Sequence, residues 1–520
     1  MKKRVLLFLL AVTLLSALML FSCGGTVTTQ PSTSANPIAT DPNHKHNYTQ
    51  FETPPTCTEE GYTIFMCACG DSYKFGFVDP TGHSFGSWEV IKAATSNETG
   101  LRERVCKCGE KETEVIPIVQ DEFEYGLTES GDAYEVIGIG NVKDENLVIP
   151  SEHNGLPVIG IADNAFSRSS AIIRTVVLPN TMQYIGYCAF EKCIWLESIS
   201  IPDSVADIGV KAFFGCARLK EFVVPKSLTE LNALFGQCTS LESVTLHSNI
   251  VFIEGGCFKE CESLRSIDLI SKIAEIQDEM FLGCKMLEDV VLPDSVTYIG
   301  VKAFSGCEGL KNINVPASLS GFGSDAFYGC ASLKSFAIPS GVTEIPDSVF
   351  SGCSSLSGTW MIPSTVTKIG KNAFSGCSKI ERIVFEESSQ LTTIDEKAFS
   401  GCTSLKSISI GDAELVDGKF VLPSKVEKLM EYAFLNCTSM SSIVIPASTN
   451  YIDRLVFSGC SGLESAHFVK TSDWHRENWR SPNDIGSSYI SVSSDVIGNS
   501  ELMADYLTGT YCDKRWSNYQ

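Results

Sequence analysis

Beyond its first four residues the chain has no cluster of lysine or arginine, and 62 acidic side chains against 40 basic ones leave a net charge of −22. Phosphate recognition depends on clustered cations, so this balance argues against a nucleic-acid partner. Histidine is scarce, with seven in 520 residues. None of His153, His247, His467 and His475 stands in the sequence beside a nucleophile or acid in a recognisable constellation. No residue is therefore nominated as catalytic, and the chain is read as a non-enzyme. After Phe21 there is also no run of the roughly 18 apolar residues that a membrane span requires. What remains is ample: 43% hydrophobic content can bury several cores or one long repeat array, and the acidity suits a soluble, self-repelling surface.

The first residues give an address. Met1 to Arg4 is basic, Val5 to Phe21 is almost wholly apolar, and the run ends at Ser22-Cys23-Gly24-Gly25. This reads as a signal sequence over residues 1–22, and the small residue ahead of Cys23 resembles the bacterial lipobox, in which the cysteine is lipidated and becomes the mature N-terminus. Several acyl chains on Cys23 would anchor the protein stably to a membrane. The expected location is the bacterial cell envelope, lipid-anchored and surface-exposed, on the outer membrane if the cell has two. Residues 23–43, rich in Ser, Thr, Pro and Asn, read as a flexible tether.

Residues 44–118 contain a tandem duplication. A shift of 39 places His44 on His83, Cys67 on Cys106, Cys69 on Cys108 and Gly70 on Gly109, while Cys57 meets Ser96. His44 (or His46), Cys57, Cys67 and Cys69 form a soft four-donor set of the kind tetrahedral zinc takes, and the second copy keeps His83, Cys106 and Cys108. Structural zinc, a disulfide from Cys57 to Cys67 or Cys69, and plain thiols compete at this point. A unit of about 39 residues cannot hold itself together by burial alone and needs such a staple.

One motif then recurs: Ala-Phe-Xaa-Gly-Cys, a leucine three residues after the cysteine, and Ile-Xaa-Ile-Pro. Phe and Cys three apart repeat from Phe190/Cys193 to Phe457/Cys460, mostly at steps of 22 to 25 residues, with a degenerate first unit at Ala165-Phe166. The step from Cys402 to Cys437 is 35, which implies an insertion around Gly411 to Lys419 that loops out. In each unit Ile-Xaa-Ile has the alternation of a short strand, Pro ends it, and Val-Xaa-Xaa-Ile-Gly supplies the opposite wall. A single turn cannot cover its apolar face, whereas about thirteen stacked turns bury one continuous core. The cysteines read as packed thiols, because equivalent Cβ vectors on neighbouring turns point the same way, which is wrong for disulfides.

These motifs, Leu-Xaa-Xaa-Ile-Xaa-Ile-Pro with Val-Xaa-Xaa-Ile-Gly-Xaa-Xaa-Ala-Phe-Xaa-Gly-Cys, resemble the BspA-like class of leucine-rich repeats over residues 147–470. The resemblance implies a right-handed solenoid of short parallel strands and turns on a bacterial surface protein. Its theme is adhesion to host matrix or other cell-surface proteins, with no fixed site. Residues 119–146 read as a segment capping the start of the array. Residues 471–520 read as an aromatic cap built on Trp474, Trp479, Tyr489, Tyr506, Tyr511 and Trp516.

Binding must then use exposed positions. The middle residue of each Ile-Xaa-Ile strand points away from the core. These are Ser200, Val223, Thr245, Asp268, Val291, Asn314, Ala337, Met361, Val384, Ser409, Val444 and His467. A stripe so poor in charge offers a flat protein-binding surface, although β-propensity alone also favours Val and Thr there. Two partner classes are expected, a protein for an adhesin or a surface glycan for a carbohydrate-capturing lipoprotein.

Overall fold

The computed structural model describes residues 45–94, 98–117, 123–169, 172–270, 272–411, 417–478, 488–510 and 512–518. They form two compact units, one ending at His83 and one beginning at Ser84.

The first unit is an antiparallel sheet of β1 (Tyr48–Thr53), β2 (Gly61–Cys67) and β3 (Ser72–Val78), in that order. Tyr48 faces Cys67 across one pair and Met66 faces Ser72 across the other. The sheet has almost no core. Of its described residues only Gly61 and Cys67 are buried, and Phe51, Phe75 and Phe77 are each more than half exposed.

The second unit opens with the same arrangement in β4 (Glu89–Lys92), β5 (Gly100–Val105) and β6 (Lys111–Ile116). The duplication is visible in the turns. Cys67 N–H donates to Asp71 O at 2.8 Å and Gly70 N–H to Cys67 O at 2.9 Å, while Cys106 and Gly109 make the equivalent bonds to Glu110 O and Cys106 O, both at 2.8 Å. Gly70 and Gly109 sit at φ of 93° and 92°, a conformation that favours glycine. The sequence groups residues 44–118 together, yet from Ser84 the second copy belongs with the repeats. Ile116 is buried against Val148 and Val177 of the first repeat strands, and Arg104 donates to Glu221 at 3.1 Å.

The stack starts at a hairpin of β7 (Glu124–Leu127) and β8 (Tyr134–Gly138), with β8 lying parallel to the strand Leu156–Ile161. Thereafter most turns contribute a short parallel strand to each of two walls, while the segment 333–339 is not a strand. Asp289–Val291 pairs with Ser266–Asp268 on one side and Asn312–Ile313 on the other. On the opposite wall Tyr298–Ile299 lies between Glu275–Ile276 and Gly321–Phe322. Proline separates the walls as the pattern predicts: its missing N–H ends the first strand, and its carbonyl starts the turn, as when Pro293 O accepts from Val296 N–H at 3.0 Å.

A backbone ladder closes each turn through the middle, with Phe304 N–H donating to Ala326 O at 2.8 Å. It holds thirteen phenylalanines, from Phe166 to Phe457, in one stack, with neighbouring rings near-parallel and 5.0 to 6.2 Å apart. All are buried. Each contributes roughly 2–3 kcal/mol of burial, available only because the next turn covers it.

The end of the stack is closed by a different device. The strand Trp516–Ser517 pairs antiparallel with Tyr451–Ile452, so the edge that would receive another parallel turn is occupied. The buried Trp474 ring packs edge-on against Phe468 at 5.2 Å. Met503 and Ala504 of the helix Ser500–Asp505 join the same core. Trp479 and Tyr511 lie outside the described residues.

One local expectation is corrected. The insertion after Ile410 does not simply loop out, because Lys419–Val421 returns as an additional strand between Ser407–Ile410 and Ser442–Ile445. Its β-forming Lys-Phe-Val places Phe420 inward, fully buried, which anchors the extra strand in the core. Residues 412–416 lie outside the described residues.

Candidate functional site

Three features carry chemistry or recognition: the thiol ladder, the outer face of the strand wall, and the cysteine turns. In the ladder, each of the twelve repeat cysteines donates its S–H to the carbonyl of the phenylalanine one turn earlier. Cys216 Sγ reaches Phe190 O at 3.2 Å, Cys307 reaches Phe281 O at 3.2 Å and Cys460 reaches Phe434 O at 3.0 Å. The same carbonyl accepts from the N–H of its own turn's cysteine, as Phe304 O does from Cys307 N–H at 3.1 Å, so both lone pairs are used. Burial pushes the thiols up, to about 12 for Cys193, Cys402 and Cys460. These cysteines are thiols with no disulfide, and their burial disfavours the thiolate that a nucleophile or a metal ligand requires. Sequence reasoning found the packing and missed the hydrogen bond. The available signal was the recurrence of cysteine itself, since packing alone would have admitted alanine or valine.

The outer face of the strand wall is exposed only over part of its length. Thr245, Asp268, Val291, Asn314, Ala337 and Met361 are exposed, Val291 at 70% and Met361 at 52%. The alternate outward positions Ser243, Ser266, Asp289, Asn312, Ser335 and Thr359 are exposed too. Of these twelve side chains only Asp268 and Asp289 carry charge. On the opposite wall the outward strand positions of the same six turns are Phe252, Glu275, Tyr298, Gly321, Glu344 and Lys368.

The expected stripe is corrected at both ends. Ser200 is buried and Val223 half-buried, because the sheet β4–β6 sits over them: Ser87, Trp88, Arg102 and Arg104 wall a narrow cleft against Ser200, Glu221 and Val223. Arg104 holds this contact, bonded to Glu112 and Glu221 and stacked over Trp88 at 4.7 Å. Val384 and Ser409 are buried rather than exposed. The chain entering and leaving the insertion is placed beside them, with Gly411 against the Glu387 side chain and Asp417 paired to Arg382 at 2.8 Å. Val444 is half-buried, and His467 is exposed at the far end.

Of the cysteine and histidine set, His46, Cys67 and Cys69 come together, their ligand atoms all within 4.8 Å of one another. Cys57 is not part of that trio, a correction to the expected four-donor set; it lies in the connection between β1 and β2, its ligand atom within 4.8 Å of that of His83. In the second copy, Cys106 is buried and Cys108 exposed on the equivalent turn. His83 is exposed. Cys23 and His44 lie outside the described residues. Among the described residues no helix is long and apolar enough to cross a membrane.

A profile of the BspA type leucine rich repeat region matches residues 159–288, 274–406, 358–473 and 416–499. The chain belongs to the BspA-type leucine-rich-repeat family. Among solved structures it is similar to a leucine-rich repeat protein from Bacteroides ovatus, at 29% identity and a TM-score of 0.57 over 67% of this chain and 94% of that one. A leucine rich cell surface protein from Faecalibacterium prausnitzii is 25% identical, with a TM-score of 0.43 over 68% and 94%. The pneumococcal vaccine antigen PcpA is 18% identical, with a TM-score of 0.34 over 68% and 81%. A search among curated proteins finds no match. Leucine-rich-repeat proteins generally bind proteins.

Proposed function

We propose that this member of the BspA-type family is a non-catalytic surface lipoprotein of the adhesin type, tethered through Cys23, which binds a protein partner on the outer face of its strand wall between Thr245 and Met361. The observation that carries the reading is the run of six consecutive turns, from Thr245 to Met361, whose twelve outward side chains are mostly small and include only two charges, Asp268 and Asp289. Ser, Thr, Ala and Val lose little rotamer entropy when covered. Val291 and Met361 supply the apolar contacts within that face.

A protein partner is favoured over a glycan because none of the twelve outward side chains is aromatic, and sugar platforms rely on exposed rings. The test is retention of the whole chain, in detergent, on a panel of immobilised extracellular-matrix proteins set beside a glycan array. The expected outcome is binding to at least one protein, weakened tenfold or more by Val291→Lys with Met361→Lys and unchanged by Glu275→Lys with Glu344→Lys on the opposite wall. Retention by glycans alone overturns the reading, as does equal loss from both pairs.

A further inference from the structure

The function proposed above leaves one cluster unused, and its geometry points to a metal. We propose that His46, Cys67 and Cys69 bind one divalent cation of the zinc class, and that this ion is what holds the sheet β1–β3 together.

Two independent observations support the assignment. The first is the arrangement of the donors. Both sulfurs sit on one rigid turn, closed by the Cys67–Asp71 and Gly70–Cys67 backbone bonds and by Gly70 in the left-handed region. The register of β1 on β2 sets Tyr48 opposite Cys67, which carries His46, two residues earlier, to the same end of the sheet. Cys69 Sγ lies 3.4 Å from His46 Nδ1. Zinc bonds of about 2.3 Å to sulfur and 2.0 Å to nitrogen, at tetrahedral angles, separate their ligand atoms by about 3.5 to 3.8 Å, so the Cys69–His46 pair already has ligand spacing. The imidazole is already oriented, stacked on the Tyr48 ring at 5.4 Å with the planes 17° apart, while the Tyr48 hydroxyl donates to Asp71. Asp71 Oδ2 stands 3.6 Å from His46 Nδ1. Two thiolates and an imidazole are a soft-to-borderline set that selects zinc over magnesium or calcium.

The second observation is energetic. This sheet is folded with only Gly61 and Cys67 buried and with Phe51, Phe75 and Phe77 turned to solvent. Three strands with no apolar interior cannot offset their conformational entropy by burial, so a cross-link must supply the difference. Within the turn that carries the sulfurs Cys67 is buried, and the turn is closed by its own backbone bonds. Metal binding to such a turn is folding free energy for the unit.

The experiment uses the whole chain in detergent under reducing conditions, with cobalt(II) as the probe because its thiolate complexes absorb visibly. The expected result is sulfur-to-cobalt charge transfer with tetrahedral d–d bands. The Cys67→Ser, Cys69→Ser double variant should bind one ion fewer per chain than the parent, a difference unaffected by whatever the second copy binds. His46→Cys guards against simple misfolding: it should keep the ion and raise this site's charge-transfer intensity by about half, from two thiolates to three. Equal cobalt content in parent and double variant overturns the proposal. So does an unchanged spectrum for His46→Cys, or a Cys67–Cys69 disulfide with no bound metal in protein purified without reductant.

Discussion

The repeat cysteine does two things that no other side chain does at once. It fills a small apolar space beside the phenylalanine stack, and it donates a weak hydrogen bond to the preceding turn's Phe carbonyl. Cys307→Ala removes both and should lower stability by about 1–3 kcal/mol. Cys307→Val keeps the apolar filling and removes the donor, so the shift of its urea midpoint against that of Cys307→Ala separates packing from hydrogen bonding. A Cys307→Val variant as stable as the parent would show that the donor contributes nothing.

The same burial gives the array an alkaline limit. Below about pH 8.5, the ordinary thiol value, folded and unfolded chains both keep their thiol protons and stability is indifferent to them. Above it the unfolded chain releases protons that the fold retains, with Cys193, Cys402 and Cys460 held up to about 12. Stability therefore falls as pH climbs from about 9 toward 12, by roughly 1.4 kcal/mol per pH unit for each such thiol. Urea midpoints measured from pH 7 to 11 should be flat and then drop steeply, and a variant with three repeat cysteines changed to alanine should drop less steeply. A thiol reagent at pH 8 should leave the repeat cysteines unmodified until the array unfolds.

At the scale of elements, the register of the stack was legible because every turn must bury the same surface in the same place, so Phe, Cys and Ile repeat at fixed spacing. The second Cys/His copy was a different matter. Its docking rests on Ile116 meeting Val148 and Val177, and on Arg104 meeting Glu221, 117 residues away. No local pattern encodes such pairs. The burial of Val384 and Ser409 was illegible for the same reason, since alternation specifies which side of a strand a residue faces and says nothing of what later passes over it. The extra strand Lys419–Val421 carried a signal, Lys-Phe-Val-Leu-Pro, which matches the apolar-Xaa-apolar-Pro strand motif of turns such as Val290-Val-Leu-Pro293. If Arg104 fastens the second copy to the array, Arg104→Ala should raise hydrogen exchange across β4–β6 by about tenfold while the urea midpoint of the array stays put. Lys92→Ala, which removes only an exposed pair with Glu98, should change neither.

For the second unit as a whole, the two ends of the stack and the second copy together determine which surface stays open. The first turns lie under β4–β6, the turns near the insertion are covered beside Arg382 and Glu387, and between them five strands and the segment 335–337 keep an exposed outer wall. The thirteen-ring phenylalanine stack behind that wall explains why it is regular. A surface formed before the partner arrives loses less entropy on binding.

The most direct measurement is hydrogen exchange of the whole chain, free and saturated with a matrix protein retained in the binding panel. Protection is predicted over the outer strands from Ser243–Thr245 to Ser357–Ile362, with the opposite wall from Phe252–Ile253 to Lys368–Ile369 unchanged. Protection confined to the opposite wall, or to the Cys/His sheets, would contradict the assignment of the open strand face as the site of recognition.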